Sequence, residues 1–335
     1  MLDHLRILLG IAALAACGNV CTGATASAQN LQAVSVIAFP GTGNWPIRIA
    51  QEKGYFAQAG IEVKLTPTPN SVFQMINLID GKFDIGMTAV DNVIAYAEGQ
   101  GEVAVSREPD LFVFMGGSPS IPVLVTIPEI KTAQDLKDKT LAVDAVTTGY
   151  AFVLFDLLKR SGLELTDYKV EPADGTLARW QGMRERKYAA AILTSPFDLI
   201  AKANGFNVLQ YARDVYGHYE ESVAVARRAW AQANEQKLVA YSKAYVSAVE
   251  WLRDPINKDE AISILRKHFP ELSPELAAAT YANFTGPRGL AAKAQLDIAG
   301  IRKVLELRSE YARPKKTLSD PSRYYDLRYY EAAIR

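Results

Sequence analysis

Two α/β domains of mostly parallel sheet, joined by two crossovers and followed by a helical C-terminal region, are the fold that this sequence predicts. Three observations carry the expectation. Short β-rich runs alternate with helical patterns from Val34 to about Leu252, the rhythm of parallel sheets covered by helices on both faces. The 335 residues exceed one typical hydrophobic core. Strand-forming sequence also returns at Ser222–Ala226, so the chain leaves the first sheet and later rejoins it. Gly116 to Ile121 and Ala212 to Ser222 are the candidate crossovers. These place residues 29–117 and 222–335 in a first domain, 118–221 in a second, and 1–28 outside the fold.

The elements follow in order. Val34–Ala38 is a strand, and Pro46 fits the first turn of a helix, where a missing N–H costs nothing. Asn44 then reads as its cap and Gly54 as the residue past its end. Strand Ile61–Leu65 stops at Pro67, and Val72, Met75, Ile76 and Ile79 recur at helical spacing up to Gly81. Phe83–Met87 and Leu111–Met115 read as strands, with Asp91 capping the helix between them. The second rhythm runs through strands Ile121–Thr126, Thr140–Val143, Tyr168–Glu171 and Ala189–Leu193. Thr132 caps a short helix between the first two, with an acidic residue in its first turn. Val153, Leu154, Leu157 and Leu158 mark the buried side of a helix over Ala151–Arg160, and Leu177, Trp180 and Met183 mark the next. Ser195-Pro196 is a cap-then-proline helix start. Beyond Ser222–Ala226 the chain is helical, first through Leu238, Tyr241, Tyr245, Val249 and Leu252, then over Lys258–His268, Pro274–Asn283 and Ala291–Ser309. Tyr324, Tyr325, Tyr329 and Tyr330 read as a docked tail.

Composition removes several classes of function. Lys+Arg and Asp+Glu both total 37, so no basic excess points to nucleic acid. Leu5–Ala16 is apolar but too short to span a bilayer. It matches a signal-peptide core, and Ala26-Ser27-Ala28 offers a small-residue cleavage site that would release a periplasmic protein beginning at Gln29. Leu14-Ala15-Ala16-Cys17 offers a second possibility, a lipoprotein anchored through acylated Cys17. The two cysteines, Cys17 and Cys21, both lie in this leader, so cleavage after Ala28 leaves no disulfide, thiolate or cysteine–metal site. Only three histidines occur, and no His cluster suggests zinc or iron. A Gly-x-Ser-x-Gly elbow and a phosphate-loop pattern are both missing.

In open α/β sheets, ligands bind beyond the carboxyl ends of the strands. The loops there contain Asn44 and Trp45, Asp91 and Asn92, Ser118, Thr147, Thr148 and Tyr150, and Ser195 and Asp198. Each has a plainer reading as helix cap, turn or core residue. Their functional reading is a ligand wall: rings from Trp45 and Tyr150, hydroxyls and amides for polar groups, and helix N–H groups for an anion. Trp180, Trp230 and Trp251 read as core, and Arg179 as a solvated helix residue. With no arginine in the loops, an anion would rely on helix ends and hydroxyls, as suits a sulfonate or monocarboxylate. Aromatics beside Asp91 and Asn92 equally suit an amino-substituted heterocycle.

Glu52-Lys53-Gly54-Tyr55-Phe56, followed by Ala59-Gly60-Ile61-Glu62-Val63, resembles the first βαβ unit of the nitrate/sulfonate/taurine-type substrate-binding proteins of ABC importers, a group similar to thiamine-precursor binders. Gly81-Lys82-Phe83-Asp84-Ile85-Gly86 and Asp135-Leu136-Lys137-Asp138-Lys139-Thr140-Leu141-Ala142-Val143 resemble its later landmarks. The resemblance implies a type II periplasmic binding fold that closes like a hinge on a small-molecule ligand. It further implies an inner-membrane ABC permease as partner, no cofactor, no catalysis and a monomeric state. A receptor module presenting ligand to a membrane sensor is the alternative. A pyrimidine-precursor synthase is a further one, disfavoured because its cysteine-rich motif and active-site histidine have no counterpart here.

Overall fold

The computed structural model describes residues 30–118, 121–287 and 289–335. The leader with Ala28, Cys17 and Cys21, and with it the expected cleavage or acylation, lies outside the described residues. From Leu31 onward the chain packs as one compact unit. None of its described helices is long and apolar enough to cross a membrane.

The described residues form two five-stranded sheets. The strands are β1 (Gln32–Ala38), β2 (Ile61–Pro67), β3 (Ile85–Ala89), β4 (Leu111–Gly116), β5 (Val123–Thr126), β6 (Thr140–Val143), β7 (Lys169–Pro172), β8 (Ala190–Leu193), β9 (Asn207–Tyr211) and β10 (Ser222–Arg227). Their orders are β2-β1-β3-β10-β4 and β7-β6-β8-β5-β9. β1 runs parallel to β2 and β3, and β6 parallel to β7 and β8. β10 and β5 run antiparallel to both of their neighbours.

The two reversed strands have one cause. β5 is the first strand after the chain leaves the first sheet, and β10 is the first after it returns. Each enters its sheet from the end where the parallel strands finish, so it must run the other way. Each sheet is therefore mixed rather than mostly parallel, with one reversed strand that makes two of its four pairings antiparallel. Most strands fall within about two residues of where their apolar runs place them. β9 was not anticipated: Asn207-Val208-Leu209-Gln210-Tyr211 has no alternation, and the strand forms at an edge where all five residues stay half-buried.

Alternation along β1 shows why the first sheet is covered on both faces. Val34, Val36 and Ala38 join the core built on the helix Glu235–Arg253, whereas Ile37 joins the opposite one. That opposite core also holds Leu124, Leu141, Val143 and Ile192 of the second sheet, together with residues of the helices Gly149–Arg160 and Ile298–Tyr311. The two sheets thus share apolar packing on one side. Tyr324, Tyr329 and Tyr330 of the tail are buried as expected, and Tyr325 bridges to Val113 on β4.

The helix Trp45–Glu52 carries Pro46 in its first turn and ends before Gly54, whose φ of 71° only glycine adopts readily. One local expectation is half met: Asn44 stands at the N-cap position, but its side chain makes no capping bond and its Nδ2 donates to Phe39 O at 2.8 Å. Another fails. Trp45 does not face a ligand cleft. Its ring is 1% exposed and packs edge-on against Tyr281 and Phe284, with centroids 6.2 and 5.3 Å away. Trp45→Ala should therefore lower unfolding free energy by about 3–5 kcal/mol, as expected for a large aromatic removed from a packed core. Denaturant melts decide it: a loss below about 1 kcal/mol would show that the ring is peripheral.

Candidate functional site

The loops at the facing strand ends line a cavity of about 250 Å³. One wall comes from Phe39 to Asn44 after β1, Thr68 and Pro69 after β2, and Met87 to Ala89 at the end of β3. The other comes from Asp144 after β6, Gly175 to Arg179 after β7, and Thr194 and Ser195 after β8. Ser118 and Glu221 come from the two chain passages between the sheets, and Ser222 begins β10. This is the position that strand-end topology selects for a ligand.

Charge is concentrated on one side of the cavity. Arg179 is fully buried, with Nε donating to Ile192 O at 2.8 Å, Nη2 to Thr176 Oγ1 at 2.9 Å, and Nη1 to Asp174 O. Its guanidinium lies over the Tyr150 ring, 5.2 Å from the centroid. The Tyr150 hydroxyl donates to Glu221 Oε1 at 2.5 Å. Desolvation, reinforced by the Glu221 charge, pushes that phenol well above its ordinary pKa. Asp144 accepts from Ser71 Oγ at 2.7 Å through Oδ2, whereas Oδ1 is buried with no partner among the described residues. Burial raises the Asp144 pKa, with the Arg179 charge and the Ser71 bond pulling the other way. Ser118 Oγ and Ser195 Oγ are likewise buried without a partner among the described residues.

Hydrogen bonds join the two walls around the cavity. Thr42 Oγ1 donates to Ser195 O at 3.1 Å, and Asn70 Nδ2 to Asp174 Oδ1 at 3.1 Å. Deeper in, Asp91 Oδ2 accepts from Gly149 N at 2.6 Å, and Asp91 Oδ1 pairs with the fully buried Arg308 at 2.7 Å. A Cβ at position 149 would lie 2.8 Å from Asp91 Cγ, so only glycine lets the backbone approach this carboxylate. Arg308 also donates from Nε to Gln100 Oε1 and from Nη2 to Gln100 O, both at 3.2 Å. One buried carboxylate thereby holds helices from both sides of the cleft and from the C-terminal region.

The anticipated residues separate into three groups. Asn44, Ser118, Tyr150 and Ser195 line the cavity. Asp91, Asn92 and Thr148 line a recess of about 20 Å³ beside it, which shares Asp144, Tyr150 and Glu221. There Asn92 Nδ2 donates to Thr88 Oγ1 at 3.0 Å and Thr148 Oγ1 to Ala145 O at 2.8 Å. Trp45, Thr147 and Asp198 line neither. Thr147 bonds outward to Glu102, and Asp198 lies behind the wall in a separate small cavity with Tyr211 and Arg213. Side-chain capping fails here as well: Asp91 follows the N-cap Ala89 rather than being it, Thr148 stands at an N-cap but sends its hydroxyl to Ala145 O, and Ser195 makes no side-chain cap to the helix Phe197–Ala203. Arg179 is the other correction, a buried cleft residue instead of a solvated one. Trp180 is core as expected, whereas Trp230 and Trp251 are half-buried.

Sequence reasoning missed Asp144, Thr176 and Glu221. Asp144 directly follows β6, so the rule that selected Thr147 could have selected it. The described residues contain no group of three His, Cys, Asp or Glu side chains placed to hold a metal ion.

Asp144 has a consequence for stability. With its pKa raised in the folded state, the folded chain holds this proton more tightly than the unfolded chain does. Stability then falls as pH rises from the unfolded pKa, about 4, through the folded one. Asp144→Asn should therefore melt higher than the parent protein near neutral pH, with the gain shrinking as pH falls towards about 4. Thermal melts across that range test it; a variant less stable at neutral pH contradicts the reading.

The sequence model of the NMT1/THI5-like family matches residues 42–257, more than half of the chain. Among solved structures, the ligand-binding component of an ABC-type import system from Staphylococcus aureus, with zinc bound, is similar at a TM-score of 0.72 and 13% identity, covering 90% of this chain and 99% of that one. The aliphatic sulphonate-binding protein SsuA from Escherichia coli is similar at 0.65 and 19% identity, covering 88% and 92%. The nitrate-binding protein NrtA from Synechocystis PCC 6803 is similar at 0.67 and 15%, covering 76% and 70%. At these identities the likeness establishes the periplasmic-binding-protein fold. No curated protein sequence matches. On the family match, the chain belongs to the NMT1/THI5-like family.

Proposed function

We propose that this protein is an extracytoplasmic solute-binding protein that captures a small organic molecule between its two sheets and delivers it to an ABC importer. The observation that carries the reading is the cavity of about 250 Å³ at the facing strand ends, whose lining brings Ser118, Ser195, Asp144, Tyr150 and Arg179 together where strand-end topology selects for a ligand. The family and the import proteins among the structural relatives support the same role.

The rest of the reading follows from that role. Asn44, Ser118, Tyr150 and Ser195 contact the solute, joined by Asp144, Arg179 and Glu221. The segments between β4 and β5 and between β9 and β10 form the hinge between residues 29–117 with 222–335 and residues 118–221. The protein acts as a monomer in the periplasm after cleavage at Ala28, docks on an inner-membrane permease, and has no catalytic turnover. Presentation of the ligand to a membrane sensor is the second role that this architecture serves.

A solute library of sulfonates, carboxylates, nitrate and amino-heterocycles, screened by thermal shift on the purified protein, tests the proposal. Ligand at about a hundred times its dissociation constant adds roughly 2.7 kcal/mol when it binds only the folded state. A stabilising solute recovered unchanged is the expected result. A library without effect contradicts solute binding, and chemical conversion of a bound solute contradicts the non-catalytic role.

A further inference from the structure

We propose that the cleft selects an uncharged solute, a ring-sized organic molecule held by neutral polar groups and aromatic rings instead of by an ion pair. This inference rests on the solute-binding reading above and deepens it by naming the solute's charge. Among the described residues lining the cavity, the formally charged side chains are Arg179, Asp144 and Glu221, and the protein's own contacts occupy all three. Arg179 is 0% exposed, and each of its guanidinium nitrogens already donates, to Ile192 O, Asp174 O and Thr176 Oγ1. Asp144 is 7% exposed, with Oδ2 accepting from Ser71 and Oδ1 buried. Glu221 is 8% exposed, accepts from the Tyr150 hydroxyl and has a further partner. The three charges also act on one another: Arg179 on Asp144, and both carboxylates on Arg179.

A charged solute entering this cavity leaves water and meets no counter-charge open to it, and a desolvated charge without a partner is costly. A neutral solute escapes that cost. The polar side chains of the lining that stay at least partly exposed include Asn44, Thr176, Gln181 and Ser222, all uncharged. The rings of Phe39 and Tyr150 line the same space and suit a flat apolar body. An apolar cavity of about 150 Å³ holds benzene, so the cavity of about 250 Å³ has room for one ring with a polar substituent. The chemistry departs from the sulphonate and nitrate named for structural relatives.

Benzamide, benzamidine and benzoate share one ring and carry zero, positive and negative charge near neutral pH. Calorimetric titration of the purified protein with each at millimolar concentration is the test. Benzamide should bind at least about tenfold more tightly than either ion, the equivalent of about 1.4 kcal/mol, and added salt should leave its affinity unchanged. Phe39→Ala, checked for folding by its melt, should weaken benzamide about tenfold by removing a ring from the lining. Unchanged benzamide binding in that folded variant places the ring outside the cavity and overturns the proposal. Either ion binding as tightly as benzamide overturns it while leaving solute binding intact. Binding of none of the three overturns it too; solute binding itself falls only if the broader library is also silent.

Discussion

The buried pair Asp91–Arg308 is the interaction on which the arrangement around the cleft depends. A charge with 0% exposure, as in Arg308, is tolerated only when paired and hydrogen-bonded. Here Asp91 accepts from Nη1 at the edge of the guanidinium, Gln100 supplies further acceptors, and the Phe152 ring lies 5.1 Å from it. The second Asp91 oxygen takes the Gly149 N–H at the start of the helix Gly149–Arg160. The helix after β3, the helix after β6 and the C-terminal helix Ile298–Tyr311 are thereby held at one point. Around it lies the apolar core shared by both sheets. Packing alone is not directional; the pair adds the geometry that sets how the walls meet.

Within those walls the polar groups divide by whether the protein satisfies them. Arg179, Tyr150 and Glu221 form a connected set of short contacts and a ring stack, which hold one another in place. Asp144, which lines the cavity, keeps one oxygen committed to Ser71 and the other buried without a partner among the described residues. Burial that raises its pKa lowers the stability of the folded chain near neutral pH. A destabilising buried group at a cleft is where selection for binding outweighs selection for stability.

Much of this architecture was legible in the sequence, because the strand-to-helix rhythm reports directly on which loops face the crevice. Asn44, Ser118, Tyr150 and Ser195 follow from that rule and line the cavity. What failed depended on partners distant in sequence. Trp45 stands at a helix start, and only Tyr281 and Phe284 decide which side it faces. Arg179 sits in a helix whose buried side reads from sequence as Leu177, Trp180 and Met183, yet Leu177 is exposed and Arg179 is buried in its place. Its burial rests on backbone carbonyls of β8 and of the preceding loop, which residue types cannot show. Asp91 illustrates the same limit: its side chain looked like a cap because its true partner, Arg308, is 217 positions away. β9 was lost for want of alternation, since an edge strand with every residue half-buried has no apolar face to announce it.

A double-mutant cycle on Asp91 and Arg308 tests the central constraint most directly. Arg308→Met and Asp91→Asn each remove one member of the pair, and unfolding free energies of both, the parent and the double variant complete the cycle. Each single change should cost about 3–5 kcal/mol by stranding a buried partner, and the double variant should lose far less than their sum. Additive losses of about 1 kcal/mol or less would show that the two residues are independent, and that the walls of the cleft are held by something else.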